Sequence, residues 1–152
     1  MPDGAVPVPP PAPRSPHSLL CFDFGTRRVG VATGNTLLRQ AQPLQTLAAE
    51  GDARFAAIAK LIGEWQPSAL VVGVPFHPDG AAHDNTQRAQ RFARQLHGRF
   101  RLPVHEVDER YTTTEALSDG AKDADAAAAA IILNQYLRTL PDDDDDDHHA
   151  GA

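Results

Sequence analysis

Three carboxylates stand where their placement needs a reason. Asp23 lies inside Leu19-Leu20-Cys21-Phe22-Asp23-Phe24, the most apolar strand-like stretch of the chain. A lone ionised carboxylate there is costly unless it is paired or bound to a metal. Glu109 follows Asp108 in Val107-Asp108-Glu109-Arg110, at the end of a strand-like run, and strand ends in α/β sheets are where ligand crevices form. Asp125 opens the last helical stretch, where i, i+3, i+4 geometry puts it on one apolar face with Ala128, Ala129, Ile132 and Tyr136. Asp123 is the natural N-cap of that helix, which leaves Asp125 free for other work. Three inward acids from distant segments make an oxygen-rich site of the kind Mg²⁺ or Mn²⁺ takes. Such a site activates a water and stabilises the charge of a cleaving phosphodiester, and two ions ~3.5–4 Å apart do both. Each acid also has a plainer use. Asp23 could cap the turn at Gly25-Thr26, Glu109 could belong to an exposed cluster closing a strand, and Asp125 could complement the helix dipole. Spacing alone leaves these alternatives open.

The cations sit well for phosphate but are less specific. Arg27 and Arg28 lie just past Asp23, and Arg110 just past Glu109, so all three are candidates for scissile or flanking phosphates. Arg88, Arg91 and Arg94 step along a second helix, with Arg99 and Arg101 after it. Residue by residue they suit a solvated helix face, and together they suit a backbone-binding track. His77 and His83 flank Pro78-Asp79-Gly80 without metal-ligand spacing, and Cys21 suits a small core position.

The elements that must carry these groups alternate along the chain. Leu19–Phe24 is a buried strand, Gly25-Thr26-Arg27 a short turn, and Arg28–Thr33 a second strand. A weaker third strand is expected near Pro43–Leu47. Phe55, Ile58, Leu61, Ile62 and Trp65 recur at helical spacing over Asp52–Trp65. Ala69–Val74 is a buried strand, Ala89, Phe92, Ala93 and Leu96 mark the next helix, Val104–Val107 the last strand and Asp123–Leu140 the last helix. Two strands joined by a tight turn, then strand–helix alternation, predict an α/β fold with a mixed sheet.

Length and composition bound the rest. The 152 residues are 41% hydrophobic, enough for one core in a single domain. Residues 1–17 hold seven of the 13 prolines and are expected to be a disordered leader. Residues 141–152 carry Asp142–Asp147 with His148 and His149 and are expected to be a solvated acidic tail. The domain is thus expected at residues 18–140. The net charge of −6 equals the six aspartates of that tail, so fourteen bases face fourteen acids elsewhere. A neutral mean leaves room for clustered cations and does not exclude nucleic acid. One cysteine excludes an intramolecular disulfide framework. The absence of a cationic start with an apolar stretch, and of any run near the ~20 residues that span a bilayer, predicts a cytoplasmic protein with no membrane association.

Taken together, these residues resemble the YqgF family, also called RuvX, whose members are named as pre-16S rRNA nucleases and Holliday-junction resolvases. The matching blocks are Phe22-Asp23-Phe24-Gly25-Thr26-Arg27-Arg28-Val29-Gly30-Val31-Ala32 and Val71-Val72-Gly73-Val74-Pro75 with Asp79-Gly80. Arg91-Phe92-Ala93-Arg94-Gln95-Leu96 and Pro103-Val104-His105-Glu106-Val107-Asp108-Glu109-Arg110-Tyr111-Thr112-Thr113 follow, continuing to Asp125 and Ile132-Leu133-Asn134-Gln135-Tyr136-Leu137. The resemblance spans Leu19–Leu140. It implies an RNase H-like fold, here a mixed five-stranded sheet flanked by helices, and Mg²⁺- or Mn²⁺-dependent phosphodiester cleavage by an acidic triad on Asp23, Glu109 and Asp125. Where the family often has Ser-Asp after the second strand, this chain has Gly34-Asn35, and Ser118–Lys122 is a short approach to Asp125.

The expected activity is 5′-end processing of precursor 16S rRNA, with structured RNA as partner. The alternatives are a junction-resolving endonuclease acting on branched DNA, or a non-catalytic nucleic-acid-binding module of ribosome assembly. Monomer and homodimer both stay open. A further reading takes Asp23-Phe24-Gly25-Thr26 as the phosphate turn of the actin and sugar-kinase superfamily, but two such domains would be needed and the chain has room for one.

Overall fold

The computed structural model describes residues 17–75, 84–109 and 124–140. The elements are β1 (Ser18–Asp23), β2 (Val29–Asn35), β3 (Gln40–Leu47), α1 (Gly51–Trp65), β4 (Ala69–Val74), α2 (Asp84–Phe100), β5 (Val104–Asp108) and α3 (Ala124–Thr139). Five strands form one mixed sheet in the order β3-β2-β1-β4-β5. β1 runs antiparallel to β2 and parallel to β4, β2 antiparallel to β3, and β4 parallel to β5.

Side chains alternate across each strand, and here both faces are covered. Leu20 and Phe22 of β1 point into a core shared with Ile58 and Leu61 of α1 and with Phe92 and Leu96 of α2. Leu19 and Cys21 point the other way, to Ala129, Ile132, Leu133 and Leu137 of α3. Burial on both faces is why β1 and β4 read as continuous apolar runs.

Two expectations are corrected. The third strand begins at Gln40 rather than Pro43, because its first residues are held by register with β2 (Asn35 opposite Gln40), with Ala41 alone of Gln40–Gln42 packed against the core. Pro43 is tolerated because β3 is an edge strand, and the register slips between Val31 and Ala32, opposite the Pro43–Gln45 stretch. The inward face of α3 is also rotated from the expected one. Ala126, Ala129, Ala130, Ile132, Leu133 and Leu137 are buried, whereas Ala128 and Tyr136 are only half-buried and Asp125 lies at the margin. Alanine-rich α3 has little side-chain contrast in its first turns, so its sequence does not mark the inward direction sharply.

α3 is fixed to the sheet by polar contacts as well. Arg39 Nη1 donates to the carbonyls of Leu137 (3.2 Å) and Leu140 (2.9 Å), and the Ala41 amide donates to Asn134 Oδ1 (3.1 Å). The first of these satisfies carbonyls that the helix end leaves without partners. No helix among the described residues is long and apolar enough to cross a membrane. Most of the expected leader and all of the tail lie outside the described residues, as do His77, His83, Arg110, Asp123 and Ser118–Lys122.

Candidate active site

Asp23 is the last residue of β1, directly between Gly30 on β2 and Gly73 on β4 in the sheet register. Alternation along β1 puts it on the same face as Leu19 and Cys21, the face that α3 covers. The two glycines decide what can approach it. A Cβ on Gly30 would run into the Asp125 carbonyl, so the absence of a side chain lets the first turn of α3 settle onto the sheet. A Cβ on Gly73 would lie 2.8 Å from Glu109 Oε1 and 2.7 Å from Ile132 Cδ1. The space above Gly73 is therefore filled by the Glu109 carboxyl.

This arrangement brings Glu109, just past β5, onto Asp23. The Glu109 carboxyl donates a hydrogen bond to the Asp23 carboxylate. Burial, that bond, and the negative charges of Asp23 and Asp108 push Glu109 up to about 9. Burial is also the main cause raising Asp23, with the Asp125 charge adding to it. Two carboxyls this close cannot both ionise at low cost, so Glu109 keeps its proton at neutral pH. The thiol of Cys21, one step down the same face, is pushed up by burial first and then by Asp23 and Glu109. It stays protonated and belongs to the core, as its apolar neighbours suggest.

Asp125 completes the acidic end of the sheet from the first turn of α3. Its Oδ2 lies 3.2 Å from Arg28 Nε, with the two side chains 36% and 65% exposed. The sequence places Arg28 toward phosphate; here it neutralises the third acid. Among the described residues no three His, Cys, Asp or Glu side chains already converge as a metal cage. Arg27 is exposed at the bend following β1. Arg110 falls outside the described residues.

One residue of this end escaped the sequence reading. Arg54 is buried (6% exposed). Its Nε donates to the Ala49 carbonyl (2.8 Å) and its Nη2 to the Thr26 carbonyl (3.2 Å), with the guanidinium 5.6 Å from the Phe24 ring centroid. Burial lowers its pKa. Arg54 thereby fixes the turn that carries Arg27 and Arg28. The available signal was its position on the stripe Arg54-Ile58-Leu61-Ile62, four residues before Ile58. On the far side of the same end, the Thr86 hydroxyl donates to the Pro75 carbonyl, tying the first turn of α2 to the end of β4. Asn35, where the family often has Asp, accepts from the amides of Leu37 (2.8 Å) and Leu38 (3.0 Å), so its side chain builds the β2–β3 turn.

Comparison with known proteins adds the following. A family model described as "RuvX: Holliday junction resolvase" matches residues 17–139. A protein of Albidiferax ferrireducens is 71% identical over 124 residues, covering 82% of this chain and 80% of that one. A Polaromonas sp. protein is 67% identical over 125 residues, covering 82% and 91%. Both carry the name "Putative pre-16S rRNA nuclease". Among solved structures, Thermus thermophilus RuvC has a TM-score of 0.51 at 13% identity, covering 79% of this chain and 93% of that chain. The T. thermophilus RuvC complex with a Holliday junction substrate gives 0.50 at 12%, covering 80% and 93%. At these identities the likeness is one of fold, and it is RNase H-like.

Proposed function

Because the chain belongs to the RuvX family, matched over residues 17–139, we propose that it is a nuclease that hydrolyses phosphodiester bonds in structured nucleic acid, with the 5′ end of precursor 16S rRNA as its substrate. The observation that carries this is the half-buried Asp23–Glu109 pair at the strand ends, with Asp125 brought beside it by a helix that rests on Gly30. The names of the relatives support the RNA substrate.

The donor set fits Mg²⁺ or Mn²⁺. Two carboxyls forced to share a proton are a like-charge pair whose strain a divalent cation relieves, and all three acids offer the hard oxygens such ions take. Asp23, Glu109 and Asp125 would hold it, and when bound it would lower the pKa of a water and stabilise charge on the phosphoryl oxygens. The chain's own groups supply the rest. Arg28 keeps Asp125 neutralised while no phosphate is present, and a phosphate of the substrate competes for the same guanidinium, releasing the acid. Arg27, on the same turn, contacts a flanking phosphate, and Arg110 a further one; arginine suits both through its forked donors. Arg54 holds that turn in place from beneath through the Thr26 carbonyl. The apolar core under the pair, with Cys21 and Ile132, excludes water from the inner side of the acids.

The description of the matching family favours a second reading, a junction-resolving DNA endonuclease using the same residues. One assay tests both. A precursor 16S rRNA fragment and a four-way DNA junction are incubated with wild type and Asp23→Asn, each in Mn²⁺, Mg²⁺ or EDTA. The expected result is RNA cleavage that disappears in EDTA and falls on the order of 10²–10³-fold or more in the variant, the scale at which one electrostatic stabiliser acts. Cleavage of the junction alone selects the second reading. Cleavage that survives both EDTA and Asp23→Asn overturns the mechanism.

A further inference from the structure

α2 is amphipathic, with a cationic outer face. Its inner face, Ala89, Phe92, Ala93 and Leu96, is buried, while Arg88, Arg91 and Arg94 stand exposed on the outer one. The three are spaced three residues apart, a rise of about 4.5 Å per step, and so form a row along the helix. With Asp84 and Gln87 they line an open groove of about 450 Å³.

The row differs from other exposed cations in having little to neutralise it. Among the described residues no carboxylate forms an ion pair with Arg88, Arg91 or Arg94, and Arg88 Nη1 makes only a 3.4 Å contact with Asn85 Oδ1. Arg99, on the same helix, is in contrast absorbed by the fold: it lies 3.9 Å from Asp52 and 4.0 Å from the Phe55 ring centroid. The sequence grouped Arg99 with the other three; the structure separates them. The row is also anchored to the catalytic end. Phe92, next to Arg91, meets Phe24 at 5.2 Å between ring centroids, and Phe24 directly follows Asp23. Three adjacent cations that no carboxylate ion-pairs among the described residues, on a helix packed against the opposite face of the sheet from Asp23 and tied to its strand end through Phe24, match a run of phosphates rather than a protein surface.

We propose that the outer face of α2 is a second contact surface of the substrate, gripping backbone phosphates remote from the scissile one through Arg88, Arg91 and Arg94. It rests on the nucleic-acid reading above but not on cleavage, and it requires a substrate extending beyond the acids around the edge of the sheet. The shared chemistry is the polyphosphate backbone, of RNA or DNA.

The test is equilibrium binding in EDTA, by fluorescence anisotropy with labelled precursor 16S rRNA fragment and labelled four-way DNA junction, across 50–200 mM salt. The full chain is compared with the triple variant Arg88→Gln, Arg91→Gln, Arg94→Gln. Glutamine keeps the helix propensity at exposed positions, and circular dichroism with a melting curve checks the fold. A control removes two exposed charges elsewhere, as Lys60→Gln and Arg138→Gln, and losses are compared per charge removed. The expected result is that the triple variant binds about 30–100-fold more weakly at 50 mM salt, with the log–log salt slope reduced by about 2–3, while the control changes much less. The probe that shows the slope change identifies the nucleic acid. Equal losses in variant and control, or an unchanged slope, overturn the proposal. So does an arginine effect that vanishes once Asp142–Asp147 are deleted, since the row would then hold the chain's own acidic run. A protein that binds as expected yet cuts neither substrate would defeat the nuclease reading and leave this surface standing.

Discussion

Glu109→Gln reads the shared proton without any substrate. Glu109 is pushed from 4.5 to about 9 in the fold, chiefly by burial and by its contact with Asp23. Between those values the folded chain holds a proton that the unfolded chain has released. Stability therefore falls as pH rises through this window, by at most about 1.4 kcal/mol per pH unit. From pH 5.5 to 7.5 the ceiling is about 2.7 kcal/mol, and residual hydration of a half-buried carboxyl reduces it to about 1.5 kcal/mol. The glutamine has no proton to lose, and the response of Asp23 to burial is common to both proteins. Thermal melts in EDTA across this range should thus show wild type losing about 6 °C relative to Glu109→Gln, at roughly 4 °C per kcal/mol for a body of this size. Adding Mn²⁺ at pH 7.5 should raise the wild-type melting temperature and move the variant less, because a cation bound only by the folded state stabilises it. Parallel melting-versus-pH lines in EDTA would refute the shared proton and with it the charge argument for the site.

Other consequences follow from single contacts. Gly30→Ala should cost about 1–3 kcal/mol or more in denaturant melts, since its Cβ collides with the Asp125 carbonyl; Gly63→Ala, in α1 with nothing within 4 Å, should instead stabilise by about 0.5–1 kcal/mol. Gly73→Ala must displace Ile132 or the Glu109 carboxyl, so cleavage should drop more than stability alone accounts for, measured as kcat on correctly folded variant. Arg54→Met leaves the Thr26 and Ala49 carbonyls without their donor and should cost about 1–3 kcal/mol in chemical denaturation. Arg28→Gln should change stability by less than about 1 kcal/mol, as an exposed pair, yet tighten calorimetric Mn²⁺ binding in the absence of nucleic acid, because Asp125 loses its competitor.

Local chemistry set much of this molecule. The doubly covered strands β1 and β4 show in the sequence as unbroken apolar runs because burial on both faces admits little else, and Asp23 stands out against that background. Glu109 was visible for a different reason, its place at the end of a strand-like run, and Asp125 through helix periodicity, each with a plainer use that spacing alone left open. Other features depend on what lies opposite in space. Gln40–Gln42 carry little apolar signal, since this part of an edge strand is held mainly by backbone bonds to β2 and by the Ala41–Asn134 contact. The inward face of α3 is decided by where its alanines meet the sheet. Gly30 and Gly73 look like ordinary strand residues until the Asp125 backbone and the Glu109 carboxyl are found in the space they leave. The proton shared by Asp23 and Glu109, the Arg28–Asp125 pair and the burial of Arg54 are likewise pair properties. Electrostatic energy depends on separation and on displaced water, and sequence distance encodes neither. The sequence by itself determined which groups were available for chemistry; only the tertiary structure decided which of them stand close enough, and dry enough, to change one another's charge.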